Sequence, residues 1–153
     1  MIHFVHDKNI LNSDATALVN GADSLGRMGS GLAAQFRLLY PEMFEQYREL
    51  CANGALEPGD VQVYNFTDEK TGNNRYILNV IVKKGWRFGS PMDLIDACLR
   101  NIRDVIIRNN IDSLAMATIS FTTKENYFGD IERHMGEIFN GLQNCNITVY
   151  SPV

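Results

Sequence analysis

Short apolar runs and amphipathic segments alternate from one end of the chain to the other. Residues 2–6 alternate apolar and polar side chains, which is typical of a strand with one buried face, and residues 17–20 form an apolar run that stops at Gly21. Residues 113–119 predict a buried central strand, and residues 147–150 predict a closing strand. The segments between these strands have the spacing of helices.

Helices are predicted first over about residues 32–39 and then over residues 41–52, where a proline stands at the first helical position. The strongest helical pattern follows Pro91, since apolar residues recur on one face between Leu94 and Ile106. The same periodicity between Ile131 and Leu142 predicts a last amphipathic helix.

A clear turn at residues 70–74 predicts that a strand over residues 61–66 pairs with residues 76–82 as a hairpin. Strands that alternate with helices pack as a sheet covered on both faces, so the predicted fold class is α/β with a mixed central sheet. The 153 residues fit a single domain, 1–153. Ligands bind such sheets outside the carboxyl ends of the strands, which directs attention to the loops after residues 20, 82 and 119.

Composition narrows the possible partners. The net charge of −4 argues against a general duplex-DNA binder, which carries a basic surface. Cys51, Cys98 and Cys145 are far apart and form no CxxC pair, so buried thiols are expected rather than disulfides or a zinc site. His3 and His6 point to opposite faces of a strand, and we expect no metal and no cofactor. No membrane-length apolar run and no signal-peptide pattern occur, so a cytoplasmic protein without a membrane partner is expected. We also expect a monomer.

A glycine-rich loop follows the second predicted strand. Gly26, Gly29 and Gly31 allow the backbone to come close to a ligand, and the helix that begins there offers free N–H groups to an anion. A phosphate or a phosphorylated sugar is therefore the favoured ligand class, with an unliganded turn as the alternative. The glycine order is G-x-x-G-x-G, which matches neither the Rossmann fingerprint nor a P-loop.

Three segments around this loop, residues 17–20, 28–36 and 40–44, resemble the macro-domain family. The resemblance is closest to the branch that contains the terminal ADP-ribose glycohydrolase and the macro-domain antitoxins that remove ADP-ribose from DNA. Residues 56–61, the strand and lysine-bearing loop at 76–87, and the closing strand extend it in register over nearly the whole chain. The resemblance implies a three-layer α/β/α macro-domain fold and ADP-ribose as the ligand.

Ligand contacts are implied position by position. Asn9, before Ile10, stands where the family has an acidic residue for the adenine amino group, and it could instead cap a turn. Asn20 matches the ribose loop, where Asp23 replaces a frequent second Asn. The full implied set is Asn9, Ile10, Asn20, Gly26, Met28, Gly29, Ser30, Gly31, Leu32, Ser120, Phe121, Thr122 and Thr123.

The second loop departs from the family. The usual glycine-rich diphosphate loop after the central strand is replaced by residues 117–126, and no glycine appears before Gly129. Backbone N–H groups and the hydroxyls of Ser120, Thr122 and Thr123 would hold the phosphates in its place. Phe121 either stacks on the ligand or packs in the protein.

Catalysis is implied by a lysine on the loop after the hairpin. Lys83 matches the lysine that attacks the anomeric carbon, and Glu125 falls near the family's proton-transferring aspartate. Asp23 is a further candidate for the catalytic arrangement. A solvated basic turn with an exposed glutamate is the alternative.

The implied function is hydrolysis of ADP-ribosyl linkages on protein or DNA. Two alternatives stay open: a phosphatase acting on ADP-ribose 1″-phosphate through Asn20 or Asp23, and a non-catalytic reader of ADP-ribose or a related nucleotide. Basic and aromatic residues interleave over residues 83–88, a pattern that suits single-stranded nucleic acid, and a buried Trp86 is its alternative.

Overall fold

The computed structural model describes residues 1–82, 91–121 and 128–151. Its strands and helices, in chain order, are β1 Ile2–His6, β2 Ala17–Ala22, α1 Gly31–Leu39, α2 Pro41–Ala52, β3 Val61–Thr67, β4 Asn74–Ile81, α3 Pro91–Asn109, β5 Ser113–Ala117, α4 Phe128–Ile138 and β6 Asn146–Ser151. Two short 3₁₀ turns, Ile10–Asn12 and Thr118–Phe121, complete the described elements.

One six-stranded sheet runs through the molecule in the order β1-β6-β5-β2-β4-β3. All neighbouring strands are parallel except β3 and β4, which form the predicted antiparallel hairpin. The prediction of an α/β fold with a mixed sheet is confirmed. Because β2, β4 and β5 run parallel, their carboxyl ends meet at one edge of the sheet.

Each face of the sheet carries a separate core. Alternate residues of β2 divide between them: Ala17 and Val19 join the core covered by α3 and α4, whereas Leu18 and Ala22 join the core covered by α1 and α2. This division follows from the two-residue period of a strand, and it makes the three-layer arrangement that the fold prediction required. Cys98 and Cys145 are buried, and burial raises the pKa of the Cys98 thiol to about 12.

Two predicted strand ends were wrong. Gly21 does not stop β2, because it pairs with Val80 and the strand continues to Ala22. A Cβ on Gly21 would lie 3.0 Å from the Cβ of Ser120, so glycine here permits the close approach of the following turn. The central strand ends at Ala117 rather than at residue 119, because Thr118 begins the 3₁₀ turn.

The end of the last helix was also misplaced. Its regular backbone stops at Ile138, and the chain turns there, with the Leu142 N–H donating to the Phe139 carbonyl. Among the described residues, no helix combines the length and the apolar character that crossing a membrane requires.

Candidate functional site

The predicted ligand loop lies at the carboxyl edge of the sheet, between the end of β2 and the start of α1. The Val82 N–H donates to the Ala22 carbonyl at 3.0 Å, so the chain leaving β4 starts directly beside this loop. Four predicted site residues, Lys83, Thr122, Thr123 and Glu125, lie outside the described residues. The others can be placed.

The backbone of the glycine loop takes unusual conformations. Gly26 and Gly31 have φ values of +82° and +61°, in the left-handed region that glycine adopts without strain, and Met28 has φ +43°. An added Cβ on Gly29 or Gly31 would meet no described atom within 4 Å. The loop therefore leaves open space immediately in front of α1.

The amino end of α1 is available to an anion. Ser30 occupies the N-cap position, but its hydroxyl makes no capping hydrogen bond, and the first turn contains no acidic residue. The first N–H groups of an α-helix have no partner inside the helix, and the helix dipole favours negative charge there. Open space and free donors at one point suit a phosphate group.

Asp23 anchors the loop to α2. Its carboxylate accepts hydrogen bonds from the Leu25 N–H at 2.9 Å and from the Arg27 guanidinium at 3.0 and 3.1 Å. The Tyr47 hydroxyl lies 2.5 Å from the Asp23 carbonyl oxygen and 3.0 Å from the carboxylate, and the two oxygens share its single hydrogen. Burial alone would raise the pKa of Asp23, but these hydrogen bonds and the Arg27 charge outweigh it and lower the pKa below its ordinary value. Burial, followed by the Asp23 charge, raises the pKa of Tyr47, which therefore stays a donor. Both carboxylate oxygens are thus engaged in holding the loop.

Replacing Asp23 with asparagine is expected to destabilise the fold by about 2 kcal/mol at neutral pH, since the amide turns an N–H toward either the Arg27 guanidinium or the Leu25 N–H, which are both donors. A carboxylate with a lowered pKa contributes stability above its unfolded-state value, and that contribution is lost as the pH falls through the folded value. The difference in the free energy of unfolding between wild type and Asp23→Asn should therefore become smaller in acid. Urea unfolding at neutral pH and at about pH 3 measures it.

Glu45→Gln serves as the control for that prediction. Glu45 pairs with Arg48 at 2.6 Å on the surface, where both side chains are 56% exposed. Solvent screens such a pair, so its loss should change the free energy of unfolding by less than about 1 kcal/mol. An Asp23→Asn variant as stable as wild type at neutral pH would contradict the anchoring role.

A chain of buried amides lies beneath the loop. Asn20, Asn79 and Gln62 are cross-strand neighbours in β2, β4 and β3. Asn20 Nδ2 donates to Asn79 Oδ1 at 3.0 Å, and Asn79 Nδ2 donates to Gln62 Oε1 at 2.9 Å. Asn20 Oδ1 is buried and has no hydrogen-bond partner among the described residues. An unpaired buried acceptor costs about 1–3 kcal/mol, so this oxygen is a candidate ligand contact.

Sequence reasoning placed Asn20 in the site but missed Asn79 and Gln62. One signal was available: Asn79 interrupts the apolar run Ile77-Leu78-Asn79-Val80-Ile81. A lone amide in a strand buried on both faces needs a partner, and the sheet register supplies it.

The remaining predicted contacts lie in different surroundings. Asn9 accepts a hydrogen bond from the Leu11 N–H at 3.0 Å and caps the first 3₁₀ turn. This is the turn-capping role that was the alternative to an adenine contact. Ile10 and Met28 are buried in the α1–α2 core. The Phe121 ring is 1% exposed and packs in the α3–α4 core, so the expectation of a stacking ring gives way to the packing alternative. Within the described part of the chain, no cluster of His, Cys, Asp or Glu could hold a metal ion.

Comparison with known proteins agrees with the fold. The family profile described as Macro domain matches residues 19–126. The DNA ADP-ribosyl glycohydrolase of Mycobacterium tuberculosis is 33% identical over 144 residues, 94% of this chain. The protein of the same name from Thermus aquaticus is 28% identical over 153 residues, 100% of this chain. This chain spans 40% and 42% of the length of these relatives.

Two solved structures reproduce the architecture over nearly their whole length. The macrodomain of Mycobacterium tuberculosis DarG has a TM-score of 0.88 and 31% identity, covering 100% of this chain and 99% of that one. The macrodomain of Thermus aquaticus DarG has a TM-score of 0.85 and 27% identity, covering 98% and 97%. The family profile, the sequence identity and the shared fold agree, and the chain belongs to the macro-domain family.

Proposed function

We propose that this chain binds ADP-ribose between the glycine loop and the ends of β4 and β5, and that it hydrolyses ADP-ribosyl linkages. The observation that carries the proposal is the open, uncapped amino end of α1, where Gly31 leaves room for a phosphate. The unpaired oxygen of Asn20 supplies an acceptor for a sugar hydroxyl at the same edge of the sheet.

Lys83 is the proposed nucleophile. In sequence it directly follows Val82, whose N–H is bonded to the Ala22 carbonyl beside the start of the ligand loop. In the neutral form its amine attacks the anomeric carbon of the ribose, a C–N bond forms, and the linkage to the modified group breaks. Glu125 is proposed to protonate the departing group, and water then releases ADP-ribose from the lysine.

DNA is the proposed carrier of the modification. The relatives that match the chain are named DNA ADP-ribosyl glycohydrolases, and residues 83–88 combine basic and aromatic side chains suited to single-stranded nucleic acid. Protein-linked ADP-ribose is the second substrate class. We propose the cytoplasm as the site of action.

Two other activities remain as alternatives. A phosphatase acting on ADP-ribose 1″-phosphate would draw on Asn20 or Asp23, but the Asp23 carboxylate is already engaged by Leu25, Arg27 and Tyr47. A non-catalytic reader is favoured by the missing glycine-rich second loop over residues 117–126.

Calorimetric titration with ADP-ribose, followed by product analysis, tests the proposal. The protein is incubated with matched single-stranded DNA and peptide substrates that carry ADP-ribose. Release of free ADP-ribose, faster from DNA, is the expected result. Binding without release would select the reader, and release of inorganic phosphate from ADP-ribose 1″-phosphate would select the phosphatase.

A further inference from the structure

Two methionine sulfurs determine which way the buried amides face. Met28 Sδ lies 3.6 Å from Asn20 Nδ2, and Met43 Sδ lies 3.1 Å from Asn79 Nδ2. A thioether sulfur accepts hydrogen bonds and cannot donate them. If either amide were turned by 180°, its oxygen would face the sulfur and two acceptors would be in contact. The NH₂ groups therefore face the sulfurs.

This orientation uses every hydrogen-bonding atom of the pair except one. Asn20 Nδ2 donates to Asn79 Oδ1 and Met28 Sδ, while Asn79 Nδ2 donates to Gln62 Oε1 and Met43 Sδ. Each NH₂ group has two hydrogens, so both are fully used. Among the buried side-chain nitrogen and oxygen atoms of the described residues, only Asn20 Oδ1 is left without a partner. Asn20 thus presents an acceptor and no donor.

We propose that Asn79 is a positioning residue that holds Asn20 Oδ1 ready to accept a hydrogen bond from a hydroxyl of the distal ribose. The inference rests on the proposed binding of ADP-ribose and adds a reason for selectivity: the ligand must supply a sugar O–H donor at this point. Asn20 is buried, so a hydroxyl that reaches this oxygen meets little competition from water.

Asn79→Leu removes the acceptor of Asn20 Nδ2 at similar side-chain volume. The Asn20 amide then keeps only its 3.6 Å contact with Met28 Sδ, which is a weak acceptor, so its oxygen is held less firmly for the ligand. We expect ADP-ribose affinity to fall about tenfold, which corresponds to about 1.4 kcal/mol. ADP has the adenosine and both phosphates but no distal ribose, so its affinity should change less than about twofold. Calorimetric titration with both ligands gives the two ratios.

Asn79→Asp is the conservative variant. Burial keeps the new carboxyl group protonated, so its carbonyl oxygen still accepts from Asn20 Nδ2 and its O–H takes the place of Asn79 Nδ2 as donor to Gln62 Oε1. ADP-ribose affinity should therefore stay within about threefold of wild type. If Asn79 only filled space, the leucine and aspartate variants should bind ADP-ribose about equally well. Retained binding in Asn79→Asp together with weakened binding in Asn79→Leu therefore indicates the positioning role.

Ser113→Ala is the matched control for lost stability. Ser113 Oγ accepts from the Thr16 N–H at 2.7 Å at the amino end of β5, the opposite edge of the sheet from the ligand loop. The variant loses an internal hydrogen bond, yet both ligand affinities should be unchanged. Gln62→Leu lies one step further along the amide chain, so it should also weaken ADP-ribose binding more than ADP binding, by a smaller factor than Asn79→Leu. It replaces Asn79→Leu as the test if that variant does not fold.

The outcomes separate the two claims. A wild-type protein that does not bind ADP-ribose overturns the proposed function, and the inference with it. If wild type binds ADP-ribose but the leucine variants bind it equally well, the positioning role is wrong and the proposed function stands. An equal loss for ADP and ADP-ribose also overturns the inference, because it reports general damage to the pocket.

Discussion

Lys83→Ala is expected to lower turnover of ADP-ribosylated DNA by roughly a thousandfold or more, because it removes the proposed covalent nucleophile. ADP-ribose binding should persist, since the variant keeps the glycine loop and the open amino end of α1 that are proposed to hold the phosphates. Single-turnover release of ADP-ribose measures the first effect, and calorimetry measures the second. A loss of rate with binding retained is the signature of a group that acts in the chemical step.

Covalent trapping gives that prediction a direct readout. A lysine that attacks the anomeric carbon passes through a Schiff base with the opened sugar, which borohydride reduces to a stable amine. Wild type incubated with substrate and borohydride should gain the mass of ADP-ribose, whereas Lys83→Ala should not. The cross-linked peptide should contain residue 83.

Lys84→Ala is the control within the same basic turn. It removes a neighbouring charge that favours the neutral amine of Lys83, so a milder loss, without loss of trapping, is expected. Full activity in Lys83→Ala would contradict the lysine mechanism and return attention to Asn20, Asp23 and the phosphatase alternative. If wild type binds ADP-ribose but shows no turnover, the non-catalytic reader is the function that remains.

Periodicity predicted the elements well because most of this chain follows simple burial rules. The helix at Pro41–Ala52 and the hairpin of β3 and β4 were predicted closely, since each is set by local turn chemistry and one apolar face. The ends of β2 at Ala22 and of β5 at Ala117 were not predicted, because both depend on how the turn after β5 packs against β2. Such contacts between distant segments leave no local pattern.

The site shows the same division. The glycine loop was predictable from its spacing and from the family resemblance, because close backbone approach demands particular residues at particular places. The anchoring of Asp23 was not predictable, since Tyr47 contacts it from α2, 24 residues away in the sequence. The amide chain of Asn20, Asn79 and Gln62 likewise depends on sheet register, which joins residues up to 59 positions apart.

Gly31→Leu is expected to abolish the thermal stabilisation that ADP-ribose gives. ADP-ribose at a hundred times its Kd should stabilise wild type by about 2.7 kcal/mol, a rise in Tm of roughly 5–10 °C. Gly31 is the first residue of α1, and a leucine side chain would occupy the open space beside this amino end, where the phosphate is proposed to bind. Thermal unfolding with and without ADP-ribose measures the loss.

Gly54→Leu separates that loss of binding from backbone strain. Gly54 follows α2 with φ +67°, close to the +61° of Gly31, and an added Cβ at either position meets no described atom within 4 Å. Both variants should lose about 1–2 kcal/mol of stability, because a non-glycine residue is strained in the left-handed region. Only Gly31→Leu should lose the ligand-dependent rise in Tm. If both variants keep that rise, the phosphate is held elsewhere than at α1. If both lose it, strain rather than occupation of the anion site is the cause.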